Sequence, residues 1–288
     1  MYSHLQRALL TMALLCCAGA CAAPAQPLAV DVPPADLSTS PAPLKAFLFE
    51  PAGPGPFPGV VMLHGCGGPY AKGGQLNARH QIWGEYLAAH GYVALMLDSF
   101  TSRGLKEICT VKYRSRPIKE SERVGDAYAA LAWLAARPDV AADRVALLGW
   151  SHGAGVTLDA ITHHPAQAPA FRAAVAFYPG CTARAKTADR FHPYAPLFIL
   201  IGEADDWTPA APCKALASSV AARGEPMRIV TFPDTYHDFD NPALKSLHVR
   251  KEVPNGAHPG QGVTVAPNSA AREEAMKDVL DYFAQNVK

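Results

Sequence analysis

The sequence predicts an α/β fold with a mainly parallel central sheet and helices on both of its faces. Apolar runs of strand length alternate with helical patterns along most of the chain, as they do where helices join parallel strands. The 288 residues are 49% apolar and 18% charged, which is enough material for one large core. A formal net charge of +1 gives no support for nucleic-acid binding or for a polybasic membrane anchor. We therefore expect a small-molecule ligand.

The N-terminus is predicted to be a targeting segment. An apolar run follows Arg7 and ends in small residues, which is the layout of a secretory signal peptide over residues 1–23. A transmembrane helix needs about 20 apolar residues, and we expect none in this chain. Cys21 follows a sequence that loosely resembles a lipoprotein cleavage site, so a lipid anchor at Cys21 stays open. We predict export to the periplasm or the medium.

Residues 24–43 are rich in Pro and Ala, which predicts a linker. The folded α/β domain is expected over residues 44–288. Pro138 ends one helical pattern, and Asn268 or Ser269 caps the last one. The predicted strands are 45–49, 59–63, 92–97, 144–148, 173–177, 197–201 and 228–232. The predicted helices are 75–90, 120–136, one from after Ser151 to about residue 164, 209–223, and one from residue 268 or 269 to the C-terminal end.

Two segments, 99–119 and 240–267, interrupt this alternation after predicted strands. Long insertions at such places usually shape a site. The first segment carries one acidic residue, Glu107, among six basic ones, and a solvated face is the usual explanation for such a run. The basic residues are Arg103, Lys106, Lys112, Arg114, Arg116 and Lys119.

A GxSxG sequence follows the predicted strand 144–148 directly and leads into a helical pattern. This strand–turn–helix context is the one that a nucleophile elbow requires. The turn is so tight that Gly149 and Gly153 are needed because larger side chains would collide. The turn lifts the Ser151 hydroxyl above the sheet edge, where the start of the next helix stabilises negative charge. Ser151 is therefore the candidate nucleophile.

The partners of such a serine occur in the chain order expected for this fold, nucleophile, acid, histidine. Asp205 follows strand 197–201, and His237 follows strand 228–232, so both lie on loops at the carboxyl edge of the sheet. His237 would take the serine proton, and Asp205 would hold the imidazole in the required tautomer. Three other carboxylates remain open as the acid: Asp206, Glu203 and Asp234.

An oxyanion hole needs two N–H donors, and the sequence offers a candidate for each. The first is the N–H of His152, directly after Ser151. The second is the N–H of Cys66 in the glycine-rich turn His64-Gly65-Cys66-Gly67-Gly68, which ends strand 59–63. Cys66 could itself be read as a nucleophile, but it does not lie in an elbow.

Four cysteines lie in the predicted domain, so an oxidising compartment would permit two disulfides. In the expected strand order, the strands before Cys66 and Cys109 are neighbours, and so are those before Cys181 and Cys213. We therefore predict these two pairings.

Five motifs together resemble the dienelactone hydrolase family over about residues 44–286, and the fold would then be the α/β-hydrolase fold. The resemblance implies a sheet of eight or slightly fewer strands, no large cap, and hydrolysis of esters or lactones without a cofactor or metal. The founding members use a cysteine nucleophile, so this chain resembles a serine-bearing branch. The motifs are the elbow, the turn 64–68, Asp98-Ser99-Phe100-Thr101-Ser102-Arg103-Gly104, Gly202-Glu203-Ala204-Asp205-Asp206 and Tyr236-His237-Asp238-Phe239.

We predict an exported serine hydrolase that acts on a small ester or lactone through an acyl-enzyme. Arg103 is expected to bind a carboxylate of the substrate, and Trp150 and Tyr236, next to Ser151 and His237, are also assigned to substrate binding. Two alternatives remain: a peptidase of the same fold, and a non-catalytic binding protein that keeps the pocket.

Overall fold

The computed structural model describes residues 26–35, 40, 42–166 and 168–288. It contains one eight-stranded sheet and a separate two-stranded ribbon among these residues. The strands are β1 (Leu28–Val32), β2 (Leu44–Phe49), β3 (Phe57–Leu63), β4 (Val93–Asp98), β5 (Val140–Trp150), β6 (Ala173–Phe177), β7 (Leu197–Gly202), β8 (Met227–Phe232), β9 (His248–Arg250) and β10 (Val263–Val265). The helices are α1 (Ala78–Ala89), α2 (Glu120–Ala135), α3 (His152–Ala160), α4 (Thr182–Lys186), α5 (Ala210–Ala222) and α6 (Ser269–Asn286).

The sheet order is β1-β2-β4-β3-β5-β6-β7-β8, and the six strands from β4 to β8 along this order run parallel. Strands β4, β6 and β7 are buried along their whole length, as expected for a parallel sheet covered on both faces. The predicted α/β-hydrolase fold is therefore confirmed. Parallel strands bring the loops after β3, β5, β7 and β8 to one edge of the sheet.

The expected linker is partly wrong, because residues 28–32 form an edge strand. Strand β1 pairs antiparallel with β2, from Leu28 opposite Leu48 to Val32 opposite Leu44. The prolines on both sides of this short run obscured the strand in the sequence. The predicted signal peptide, residues 1–23, and Cys21 lie outside the described residues.

Strand β5 begins earlier than the predicted 144–148, at Val140. Its pairing with β3 shifts register between Phe57, opposite Val140, and Gly59, opposite Val145. The polar pair Asp143-Arg144 lies in this irregular stretch and broke the apolar pattern in the sequence.

The insertion 240–267 carries the ribbon of β9 and β10, which braces the loop of the candidate histidine. Val265 forms a bridge with His237, and Ala266 N–H donates to His237 O at 3.3 Å. The segment therefore fixes the backbone on which the candidate base is mounted.

Both predicted disulfides are present, Cys66 with Cys109 and Cys181 with Cys213. Disulfides persist in oxidising compartments, so they indicate an extracellular or periplasmic protein. Among the described residues, no helix combines the length and the apolar character needed to cross a bilayer.

Candidate active site

Ser151 lies in a strained turn between β5 and α3. Its backbone has φ 51° and ψ −112°, a conformation that a non-glycine residue adopts only where the surrounding structure holds it. A Cβ added at Gly149 would overlap Gly153 O, and one added at Gly153 would overlap Leu63 O. Both glycines are therefore required for sterics, and the turn has the form of a nucleophile elbow.

Asp205 and His237 meet at the same edge of the sheet. Asp205 Oδ2 lies 2.8 Å from His237 Nδ1, and both side chains are almost completely buried. Because the carboxylate accepts, the proton of the imidazole lies on Nδ1 and the lone pair on Nε2 is free. Among the described residues, His237 Nε2 has no hydrogen-bond partner. Ser151 and His237 line one small cavity of about 90 Å³, so this lone pair can act as a base toward the serine.

The loop that carries Asp205 orients its carboxylate. The N–H groups of Trp207 and Thr208 donate to Asp205 Oδ1 at 2.9 and 2.8 Å, which leaves Oδ2 for His237. Thr208 Oγ1 lies 3.1 Å from Asp205 Oδ2 and 3.1 Å from His237 Nδ1. The His237 ring packs between Tyr178 and Trp207, with ring centroids 4.4 and 4.6 Å away.

The other three candidate acids are engaged elsewhere or face water. Asp206 accepts from Thr264 N–H and Thr264 Oγ1, both at 2.7 Å, and so ties down the insertion. Glu203 pairs with Lys214 at 2.7 Å, and Asp234 is exposed.

The turn after β3 lies against the nucleophile. A Cβ added at Gly65 would be 3.4 Å from Ser151 Cβ, so the main chain of the turn approaches the serine closely. Cys66 lines both cavities that reach Ser151, and its carbonyl accepts from Ile108 N–H at 2.8 Å. His152 is the first residue of α3, where N–H groups lack partners within the helix. The two residues that carry the predicted oxyanion donors, Cys66 and His152, thus lie close to Ser151.

The structure corrects two of the three predicted substrate-binding residues. Both carboxylate oxygens of Asp126 accept from Arg103, at 2.9 and 2.8 Å, and Ser99 O accepts a third bond at 2.6 Å, so Arg103 serves the fold. Trp150 has no exposed surface, because it packs between Trp83 and Phe177 in the core. The third residue, Tyr236, lines neither cavity at Ser151.

A second, larger cavity at Ser151, of about 240 Å³, contains residues that the sequence did not single out. Arg116 lines this cavity, is 8% exposed and stacks on Tyr113 at 5.4 Å. Among the described residues, Arg116 Nε is buried without a hydrogen-bond partner. Burial lowers the pKa of Arg116, and Glu120 opposes that effect. The sequence contained Arg116 only as one of six basic residues in the same segment.

A polar network begins in the wall of the small cavity at Ser151, where Arg79 and Asp238 lie, and continues into the core. Arg79 donates to Tyr178 Oη at 2.8 Å and to Asp238 Oδ1 at 2.6 Å. Since Tyr178 packs on His237, the network fixes the wall behind the base. Asp240 closes it by accepting three bonds, from Tyr178 Oη at 2.6 Å, Trp150 Nε1 at 2.8 Å and Trp83 Nε1 at 3.1 Å.

No group of histidine, cysteine or carboxylate side chains among the described residues has the arrangement of a metal site. The groups near Ser151 are of the kinds that nucleophilic catalysis uses: a hydroxyl, an imidazole, a carboxylate bonded to that imidazole, and backbone N–H groups.

Comparisons with known proteins identify the family of the chain and show its fold. Residues 44–287 match the model of the dienelactone hydrolase family. No curated protein is similar enough to the chain to count as a match. Among solved structures, a dienelactone hydrolase from Anabaena variabilis is 19% identical, with a TM-score of 0.62 and coverage of 91% of this chain and 99% of that one.

Two further structures share the fold but not that name. Esterase 2 of Thermogutta terrifontis, phosphoramylated by tabun, is 17% identical, with a TM-score of 0.61 and coverage of 91% of this chain and 95% of that one. An acylaminoacyl peptidase of Pyrococcus horikoshii is 15% identical, with a TM-score of 0.62; the match covers 91% of this chain and 42% of that one.

Proposed function

Because the chain belongs to the dienelactone hydrolase family and is a hydrolase, we propose that it cleaves a small carboxylic ester or lactone through an acyl-enzyme on Ser151. One observation carries the proposal: the strained serine and the unpartnered His237 Nε2 share one cavity. Neither a strained elbow nor a buried unpaired nitrogen stabilises a fold, and together they suit proton transfer from the serine.

The mechanism follows from the positions of these groups. His237 Nε2 takes the Ser151 proton as Oγ attacks the carbonyl carbon, and Asp205 stabilises the imidazolium that forms. The carbonyl oxygen becomes an oxyanion and accepts from the N–H groups of Cys66 and His152. The leaving alcohol departs with the proton from His237. Water then repeats the sequence on the acyl-enzyme and releases the acid and free Ser151.

A fluorophosphonate probe tests this proposal directly. We expect wild-type protein to be labelled at Ser151, with the adduct mapped by peptide mass spectrometry, and chromogenic esters to be hydrolysed. Tabun phosphoramylated the Thermogutta esterase, so an organophosphorus reagent is a suitable probe for this fold. Equal labelling of Ser151→Ala, or no labelling of the wild type, would contradict an acyl-enzyme on Ser151 and favour a non-catalytic binding protein.

A peptidase differs from an esterase in the leaving group that it releases, an amine instead of an alcohol. The match to the Pyrococcus peptidase covers 42% of that chain, so its activity is not carried over. A peptide amide and a peptide ester with the same acyl part, assayed beside the simple esters, decide between the two activities.

We also propose that Arg116, rather than Arg103, binds a carboxylate of the substrate. Its guanidinium lines the same cavity as Ser151 and is largely shielded from water, which strengthens a charge-assisted hydrogen bond. Arg116→Gln is expected to raise KM for an anionic ester about 10- to 100-fold, as the loss of one or two such bonds does, and to leave the KM of a neutral ester nearly unchanged.

Arg114→Gln is the matched control, because Arg114 belongs to the same basic segment but its side chain is exposed. Equal effects of Arg116→Gln on charged and neutral esters would contradict the carboxylate subsite.

We also propose that the protein is exported to the periplasm or the medium. The two disulfides support an oxidising destination. Residues 1–23 as a signal peptide, and Cys21 as an alternative lipid attachment site, can be tested by N-terminal sequencing of the mature protein.

A further inference from the structure

Arg123 is buried beside His64 and His152, the residues on which the two oxyanion regions depend, but it does not line either cavity at Ser151. It lies on α2 with no exposed surface. One guanidinium nitrogen, Nη1, lies 2.8 Å from His152 Nδ1, and the other, Nη2, donates to His64 O at 3.0 Å. Its guanidinium carbon lies 5.2 Å from the centre of the Phe100 ring. The planar guanidinium of Arg123 therefore joins α3 to the turn after β3, and these two segments carry the proposed oxyanion donors.

The contact with His64 acts on the donor at Cys66. His64 Nε2 accepts from Ser99 N–H at 3.2 Å, which places the ring proton on Nδ1, and Nδ1–H donates to Gly65 O at 2.7 Å. Gly65 O and Cys66 N–H belong to the same planar peptide group and point in opposite directions. Holding Gly65 O against the His64 ring therefore directs Cys66 N–H away from that ring. Arg123 fixes the backbone of His64, on which this ring is mounted.

The contact with His152 acts on the second donor. Arg123 can only donate, so His152 Nδ1 accepts and the ring proton lies on Nε2. Burial, with a further contribution from Arg123, holds the pKa of His152 well below its ordinary value, so the ring stays neutral. Through this hydrogen bond, the His152 side chain links Arg123 to the first turn of α3. The N–H of the same residue is the donor directly after Ser151.

The two carboxylates that most strongly raise the pKa of Arg123 form ion pairs with other arginines. Asp126 and Glu120 raise its pKa, but their carboxylates pair with Arg103 and Arg184, at 2.8 and 2.9 Å. Burial nevertheless lowers the pKa of Arg123 only to about 10, so it is charged at neutral pH. A buried charge bonded to a neutral ring and a carbonyl is costly for the fold. A role in positioning the two oxyanion donors would explain why the protein retains a buried charge that destabilises the fold.

We propose that Arg123 is a positioning residue that holds the N–H groups of Cys66 and His152 at the separation an oxyanion requires. The inference rests on the proposed acyl-enzyme chemistry at Ser151. A residue of α2 would therefore control transition-state stabilisation, although α2 contributes no group to the reaction itself. Its role is distinct from binding, because Arg123 does not line either cavity at Ser151.

The test compares Arg123→Met and Arg123→Lys with Arg137→Met, each assayed per active site after end-point titration with a fluorophosphonate. Arg137 follows the far end of the same helix and pairs with Asp139 and Glu50, so its loss should reduce stability alone. Removing one oxyanion donor lowers kcat about 100-fold or more, and we expect a fall of about that size for Arg123→Met. KM should change little, and the affinity for a boronic acid that mimics the tetrahedral intermediate should fall in parallel.

Arg123→Lys keeps the charge but reaches only one partner, so an intermediate kcat is expected, and this variant carries the test if Arg123→Met does not fold. Unchanged kcat per titrated site and unchanged boronate affinity, with only a lower Tm, would overturn the inference. Activity remaining in Ser151→Ala would instead overturn the proposed function, so the two failures are distinguishable.

Discussion

Asp205→Asn is expected to lower kcat for ester hydrolysis about 10⁴-fold, the loss seen when an amide replaces the triad acid in a serine protease. The structure explains why the amide cannot adapt. The N–H groups of Trp207 and Thr208 both donate to Oδ1, so the amide oxygen must take that position. The amide NH₂ then faces His237 Nδ1 and can only donate. The imidazole proton moves to Nε2, where it blocks acceptance of the serine proton.

Asp206→Asn is the matched control, since it changes the neighbouring carboxylate by the same atoms. Asp206 accepts two bonds from Thr264, and weakening them should lower the free energy of unfolding by about 1 to 3 kcal/mol. The values of kcat and Tm for both variants, measured with one chromogenic ester, check the prediction. A large loss of kcat in Asp206→Asn with none in Asp205→Asn would exchange the two roles.

The groups on these loops could be predicted from the sequence because backbone connectivity alone places them. Parallel strands bring the residues that follow them to one edge, so the proximity of Ser151, Asp205 and His237 could be predicted from strand order and spacing. The disulfides followed for the same reason. The edge strand β1 was not identifiable, because a short run between prolines carries the same signal as a linker.

The residues that line the cavities at Ser151 could not be predicted, because side-chain direction and distant partners decide which side chains reach those cavities. Arg103 and Arg116 look equivalent in a basic segment, but Asp126, on a helix further along the chain, pairs with Arg103. Trp150 is next to the nucleophile in sequence, yet its indole points into the core toward Asp240. Arg123 gave no signal, since an arginine in a helical pattern is ordinarily solvated.

The free energy of unfolding is expected to fall steeply below about pH 6.5, because three histidines are buried in neutral form. Burial lowers the pKa of His80 to about 3 and holds those of His64 and His152 well below their ordinary value. The unfolded chain takes up a proton at each of them near pH 6.5, whereas the folded chain does not, so stability is lost as the pH falls. Each contributes a slope of about 1.4 kcal/mol per pH unit, or about 4 kcal/mol together.

Urea denaturation at intervals between about pH 5 and pH 8 measures this slope, above the range where most carboxylates titrate. His80→Gln should reduce the slope by about 1.4 kcal/mol per pH unit, because glutamine takes up no proton in the unfolded chain. An amide can still donate to Pro69 O, the acceptor that His80 Nδ1 faces at 3.4 Å. His163→Gln is the control, since His163 is exposed in the folded protein. If the slope of His80→Gln matched the wild type while that of His163→Gln fell, His80 would have to be protonated within the fold.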